Sequence, residues 1–170
     1  MGYPVFYSDQ EAKKILETDK AVRHDVTALL GDKAFANTIP NREYIGQKVF
    51  QDPEKLARLN SIIHPKVRQN FEDWKIKQNS KIVFNEAAIL FETGAYKNFT
   101  KTVLVTAPKS LRINRVLSRN NTSLEEIETR MASQWDDSEK IKLADFVIEN
   151  DDQRAVLPQL ETMLKELMNG

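Results

Sequence analysis

The stretch Lys81-Ile82-Val83-Phe84-Asn85-Glu86-Ala87-Ala88-Ile89-Leu90-Phe91-Glu92-Thr93-Gly94 decides how this chain is read. It starts with a continuous apolar run, Ile82-Val83-Phe84, without polar alternation. A strand covered on both faces reads that way, and such strands belong mainly to parallel sheets flanked by helices. Polar groups follow at its C-terminal end: Asn85, Glu86 and, further on, Glu92. Ligands of open α/β sheets bind outside the carboxyl ends of the strands. Two readings fit: a strand that delivers carboxylates to a site, or a core strand ahead of a solvated acidic turn.

Upstream, Tyr3-Pro4-Val5-Phe6-Tyr7 predicts a short strand, with Pro4 tolerable at its start. Ser8 or Asp9 then caps a helix, so Asp9 is either a cap or a carboxylate presented at a strand exit. Asp19 to Leu30 predicts a helix with Val22, Val26, Leu29 and Leu30 on one face, closed by Gly31. Residues 31–41 read as a loop or weak hairpin. Asn41 caps a helix to Phe50, and Arg42 in its first turn is poorly placed against the helix dipole. It is either simply exposed or held by another partner. Asp52-Pro53 opens the next helix, which Pro65 is expected to break or kink just after His64. His64 reads as a structural histidine satisfied by a backbone carbonyl, or as a catalytic one.

Downstream, residues 87–99 predict a short helix and turn broken at Gly94, and Thr102 to Thr106 a further strand. The helix begun by Pro108 and Ser110 carries Arg112, Arg115 and Arg119 on or near one face. Arg115 and Arg119, four apart, repel each other unless an anion lies between them. They form either a solvated basic face or a phosphate clamp. Asn120-Asn121-Thr122-Ser123 is a turn, and Ser123 or Thr122 caps a polar helix to Gln134. The segment between Arg119 and Lys142 has few core anchors and reads as a mobile lid. Phe146-Val147-Ile148 is the next strand, and Asn150-Asp151 turns into an amphipathic terminal helix. Strands near 4–8, 81–86, 102–106 and 145–149, separated by helices, predict an α/β sandwich with a mostly parallel sheet.

The 170 residues suit one domain with a real core. Twenty-five basic residues balance 25 acidic ones, which gives no support to bulk nucleic-acid or anionic-membrane binding. There is no cysteine, hence no disulfide framework or thiol nucleophile, and the two histidines do not suggest a metal centre. No apolar run approaches the ~20 residues of a membrane span, and the N-terminus lacks signal-peptide character. A soluble, cytoplasmic protein is expected.

Several motifs, in order, resemble the dephospho-CoA kinases of the P-loop kinase superfamily, which catalyse the last step of coenzyme A synthesis. They are Val5 to Asp9, Asn41-Arg42 leading to Val49-Phe50, and Leu59-Asn60-Ser61-Ile62-Ile63-His64-Pro65. Ala88 to Glu92, Arg115 to Arg119, Arg130 with Gln134, and Ala144 to Asn150 complete the set. The resemblance covers nearly the whole chain. Two local departures are Tyr7, where the family usually has aspartate, and Ala88, where it usually has proline. Family members open with a strand and a G-x-x-x-x-G-K-[ST] phosphate loop, which these residues do not contain. About 25 to 30 residues are therefore expected to be missing ahead of Met1, through a clipped chain, a misplaced start codon or a real loss. The absent strand is central in that fold, between 81–86 and 102–106, and the chain alone is expected to be inactive.

The resemblance implies a single three-layer α/β domain over residues 1–170, with acceptor-binding helices about 19–77 and a lid about 119–142. It implies transfer of the ATP γ-phosphoryl to the ribose 3′-hydroxyl of dephospho-CoA. Asp9 would orient or deprotonate that hydroxyl, Arg115 would stabilise the transferring phosphoryl, and Arg119 would close over it. Arg42, His64, Ile89 and Glu92 would line the acceptor pocket. Glu86 would hold Mg2+ through water, and Asn150 would border the adenine. A monomer or weak homo-oligomer is expected, without nucleic-acid or membrane partners. Two rivals remain: another small-molecule P-loop kinase, and a non-catalytic remnant that binds (dephospho-)CoA.

Overall fold

A short strand that turns directly into a helix begins the fold. β1 (Val5–Tyr7) buries Phe6 and exposes its neighbours, and α1 (Ser8–Thr18) follows without a loop. The computed structural model describes residues 2–50, 52–119 and 122–169. It divides into two compact units, Met1–Ala88 and Ile89–Gly170. Asn120 and Asn121 of the predicted turn lie outside the described residues.

In the first unit, α1 is capped by Tyr7 and makes no side-chain cap bond, so neither Ser8 nor Asp9 is the predicted cap. The Ser8 hydroxyl is instead drawn sideways, donating to Asn85 Oδ1 at 2.8 Å. α2 (Lys20–Leu30) is capped by Asp19, which accepts from the amides of Ala21 (2.8 Å) and Val22 (3.1 Å). It buries Val22, Val26 and Leu30. The weak hairpin is present as antiparallel β2 (Phe35–Ala36) and β3 (Ile39–Pro40). Asn41 caps α3 (Arg42–Phe50) by accepting from the Tyr44 amide at 3.1 Å.

α4 (Pro53–Lys75) continues without interruption through Pro65, so of the expected break or kink the break does not occur. The reason is a competition of magnitudes. An interior proline costs roughly 3 kcal/mol. Leu59, Ile63, Val67 and Phe71, spaced four apart on both sides of it, are all buried. Each such side chain stabilises by about 1.5–3 kcal/mol, so the buried stripe holds both halves in one helix. Phe71 and Trp74 also close on Phe6, with ring centroids 5.3 and 5.4 Å away.

β4 (Phe84–Glu86) pairs in parallel with β1 in the register Val5↔Phe84, Phe6↔Asn85 and Tyr7↔Glu86. It is shorter than the predicted 81–86, and Ile82 and Val83 are half-buried outside it. β1 offers only three residues, so the ladder ends where its partner ends.

In the second unit, the predicted helix after the central strand is replaced by hydrogen-bonded turns and a 3-10 turn, Ala95–Asn98. Thr93 Oγ1 donates to the carbonyls of Ile89 (2.9 Å) and Leu90 (3.2 Å), competing with helical pairing. Gly94 then adopts φ 69°, which ends any α-helical run. β5 (Val103–Thr106) leads to α5 (Lys109–Arg119), α6 (Leu124–Ala132) and α7 (Asp137–Ile141). Ser123 and Glu126 form a full capping box at α6, which ends two residues short of Gln134 and buries only Ile127. β6 (Phe146–Glu149) pairs in parallel with β5, and α8 (Val156–Asn169) buries Met163 and Leu164.

Two side chains finish the β5–β6 pair. Asp145 accepts from the amide (2.8 Å) and hydroxyl (2.9 Å) of buried Thr102, and its own amide donates back to Thr102 Oγ1 at 3.1 Å. On β6, Gln159 of α8 takes the Glu149 amide at 2.9 Å and donates to the Glu149 carbonyl at 2.9 Å. The described strands thus form two parallel pairs and one small antiparallel hairpin among helices, an α/β fold. Among the described residues, no helix is long and apolar enough to cross a membrane.

Candidate active site

The first unit brings two predicted carboxylates to one strand exit, with His64 of α4 within electrostatic reach of one of them. The register Tyr7↔Glu86 puts the ends of β1 and β4 side by side, and Asp9 lies in the first turn of α1, two residues past Tyr7. A helix N-terminus favours a carboxylate there. Partial burial raises the pKa of Glu86 above the ordinary carboxylate value, and the negative charge of Asp9 raises it further. His64, half-buried on α4, is pushed below its ordinary value first by burial and then by Arg68, while Asp9 pulls the other way. Asp9 therefore acts on both groups, and the three form one electrostatic cluster. Among the described residues neither ring nitrogen of His64 has a hydrogen-bond partner, so the predicted backbone carbonyl is not found. A neutral imidazole and an exposed carboxylate are groups able to accept a proton at neutral pH.

Arg42 has the other partner that its position invited. Its Nη2 lies 2.6 Å from Glu17 Oε1, and the pair is exposed.

The second unit holds the remaining predicted residues. Arg115 projects from α5 onto the turn after β6, donating to the Asn150 carbonyl (2.9 Å), Asn150 Oδ1 (3.3 Å) and Asp152 (2.5 Å). Asn150 is itself fixed by its amide, which donates to the Thr106 carbonyl at 2.8 Å. Arg119, one turn beyond Arg115, is exposed and makes no ion pair among the described residues. Ile89 is half-buried in the turn region. Glu92 is enclosed: it accepts from Lys140 Nζ at 2.8 Å and from the Trp135 amide at 3.1 Å.

Lys140, Asp137, Asp152 and Asn85 carry contacts that the sequence did not advertise. Asp137 accepts from Thr106 Oγ1 (2.5 Å) and from Arg112 (3.3 Å), joining α7 to β5 and α5. A cavity of about 350 Å³ on the α6–α7 segment is lined by Trp135, Asp136, Glu139, Lys142 and Leu143. It contains none of the predicted site residues. Among the described residues no group of three or more His, Cys, Asp or Glu could hold a metal ion by itself.

The family model described as dephospho-CoA kinase matches residues 1–155. A dephospho-CoA kinase of Bacteroides fragilis is 37% identical over 161 residues, covering 94% of this chain and 78% of the relative. One of Chlorobium chlorochromatii is 37% identical over 158 residues, covering 88% and 74%. Among solved structures, a Thermus thermophilus protein superposes with a TM-score of 0.83 at 32% identity, covering 99% of this chain and 84% of that one. The dephospho-CoA kinase of Campylobacter jejuni gives a TM-score of 0.63 at 28% identity, covering 98% and 84%. With its parallel strand pairs, its carboxylate-bearing strand exit and its arginine-bearing α5, this chain belongs to the dephospho-CoA kinase family.

Proposed function

We propose that the protein transfers the γ-phosphoryl group of ATP to the ribose 3′-hydroxyl of dephospho-CoA. The observation that carries this reading is the family match over residues 1–155 together with Asp9 at the β1 exit. Phosphoryl transfer needs positioning and charge neutralisation more than covalent help. In the first unit, Asp9 holds the acceptor hydroxyl and takes its proton as the oxygen attacks phosphorus. His64 and Arg42 line the acceptor side. In the second unit, Arg115 neutralises charge on the transferring group, Arg119 approaches it from the lid, and Asn150 borders the adenine. Ile89 completes the acceptor side in this reading.

Mg2+ fits this setting. It keeps several waters and uses one or two carboxylates with substrate phosphates. Asp9 raises the pKa of Glu86, so the two carboxylates repel at this exit, and a cation relieves that repulsion. Glu86 would hold the ion through water, and the ion would supply charge neutralisation to the transferring phosphoryl group.

The test is formation of CoA from dephospho-CoA and ATP, by the chain and by the chain carried behind the family's glycine-rich phosphate-loop segment. Turnover that Asp9→Asn and Arg115→Ala each reduce by about 100-fold or more supports the assignment. Full activity in either variant removes that residue's role. Preference for a nucleoside acceptor replaces the substrate, and acceptor binding without turnover in either form replaces the kinase by a binding module.

A further inference from the structure

We propose that Glu92 and Lys140 form a buried positioning pin at the root of the α6–α7 helical hairpin, and that Glu92 serves the reaction through this pin and not by touching the acceptor. The inference rests on the kinase reading for its catalytic consequence and on the geometry alone for its mechanical one.

The pair is deeply enclosed: the Lys140 and Glu92 side chains are 7% and 11% exposed. Lys140 is the charged residue among the buried polar side chains of the described core, where otherwise only Thr102 appears. Enclosing two charges is weak evidence for stability, because desolvation offsets their attraction and an apolar pair often does as well. Among the described residues the remaining Glu92 oxygen, Oε2, is buried without a hydrogen-bond partner, which adds a cost that apolar packing avoids. What the pair supplies is a fixed geometry. Its carboxylate also takes the Trp135 amide at 3.1 Å, at the connection between α6 and α7. Three residues before Lys140 on the same helix, Asp137 binds Thr106 and Arg112. α7 is thus tied down at two points, on the turn region by Lys140 and on β5 and α5 by Asp137. α6, with Ile127 as its buried residue, packs on α5 and joins α7 through the Trp135 connection that the pin holds.

Removing either charge alone leaves a buried ion without its partner, so single variants confuse folding with positioning. The decisive variant is therefore the apolar pair Glu92→Leu/Lys140→Met, compared with Lys140→Arg, each made in the chain and in the chain carried behind the family's phosphate-loop segment, in which kcat and KM are read. Unfolding midpoint, amide hydrogen exchange, kcat and the acceptor KM are measured on each. The pin predicts a double variant with an unfolding midpoint at or above the parent's. Exchange in residues 124–132 rises about tenfold or more, while β5 and β6 amides keep their protection. It also predicts a kcat about 10- to 100-fold lower, with the acceptor KM within about twofold. Lys140→Arg recovers part of both effects. Parental exchange in 124–132 overturns the proposal. An acceptor KM that rises with kcat intact overturns it too, by placing Glu92 against substrate. If neither the parent chain nor its form carried behind the family's phosphate-loop segment transfers a phosphoryl group, the kinase reading fails while the exchange comparison still decides the pin.

Discussion

The Asp152 carboxylate lies 2.5 Å from the Arg115 guanidinium, on a backbone that stands at φ 64°. A non-glycine residue in that region carries strain. Its carboxylate occupies the arginine proposed to meet the transferring phosphoryl. Asp152→Gly removes both the competing anion and the strain. An exposed ion pair of this kind amounts to about 0.5–1 kcal/mol, so KM for ATP is expected to fall roughly two- to fivefold. Stability should hold or rise. A steady-state titration of ATP checks this, and an unchanged or higher KM refutes the competition.

His64 should titrate below its ordinary value of 6.5 in an NMR pH series. Its folded pKa is depressed by burial and Arg68, so the unfolded chain binds the proton more readily. The stability linked to His64 is therefore complete above about pH 6.5 and is lost as pH falls from there through the folded value. Asp9 opposes the shift, so Asp9→Asn is expected to lower the His64 pKa further. A rise in that variant would mean that the two groups do not sense each other.

Glu86 shows the reverse case. Its folded pKa is raised by burial and by Asp9. Below the unfolded value both states are protonated and there is no effect. As pH rises through the folded value, a penalty on folding appears and persists to neutrality. Glu86→Gln is expected to raise the unfolding midpoint at pH 7 and to make no difference below about pH 4. Urea unfolding at the two pH values decides it, and destabilisation by Gln at pH 7 would contradict the assignment.

Asp145→Ala should weaken the β5–β6 pair. It strips a hydrogen-bond acceptor from both the amide and the hydroxyl of Thr102, which is 4% exposed. Leaving buried donors unpaired costs about 1–3 kcal/mol, or roughly 3–10 °C in Tm for a chain of this length. The Asp145 pKa is held low by the hydrogen bond from Lys101, then by the Thr102 amide and hydroxyl. Its contribution is thus present above the ordinary value of 3.8 and lost as pH falls through the folded one. Wild-type and variant melting curves should converge toward strongly acid pH.

Much of this was legible in the residues. Asp19, Asn41, Asp52-Pro53 and Ser123 with Glu126 marked helix starts, because a cap is a local arrangement of neighbours in sequence. The strands near Val5, Val103 and Phe146 were legible as apolar β-rich runs. What misled was local chemistry overridden from a distance. Pro65 suggested a helix end, but the buried stripe from Leu59 to Phe71 lies turns away on either side. Ser8 resembled a cap until Asn85, 77 residues later, claimed its hydroxyl. The cluster of Asp9, His64 and Glu86 was nominated residue by residue, yet the effect of Asp9 on Glu86 follows from the β1–β4 register and its effect on His64 from the packing of α1 on α4. Lys140 carried no signal, since a lysine on a polar helix reads as solvated until its burial is seen.

Gln159 gives β6 a counterfeit neighbour. Its carboxamide meets both backbone groups of Glu149, as an adjoining strand would, for the length of a single residue. A stray extended peptide therefore finds that margin already taken at Glu149, and sheet growth from molecule to molecule is discouraged there. One side chain from the last helix thus doubles as a guard against self-association.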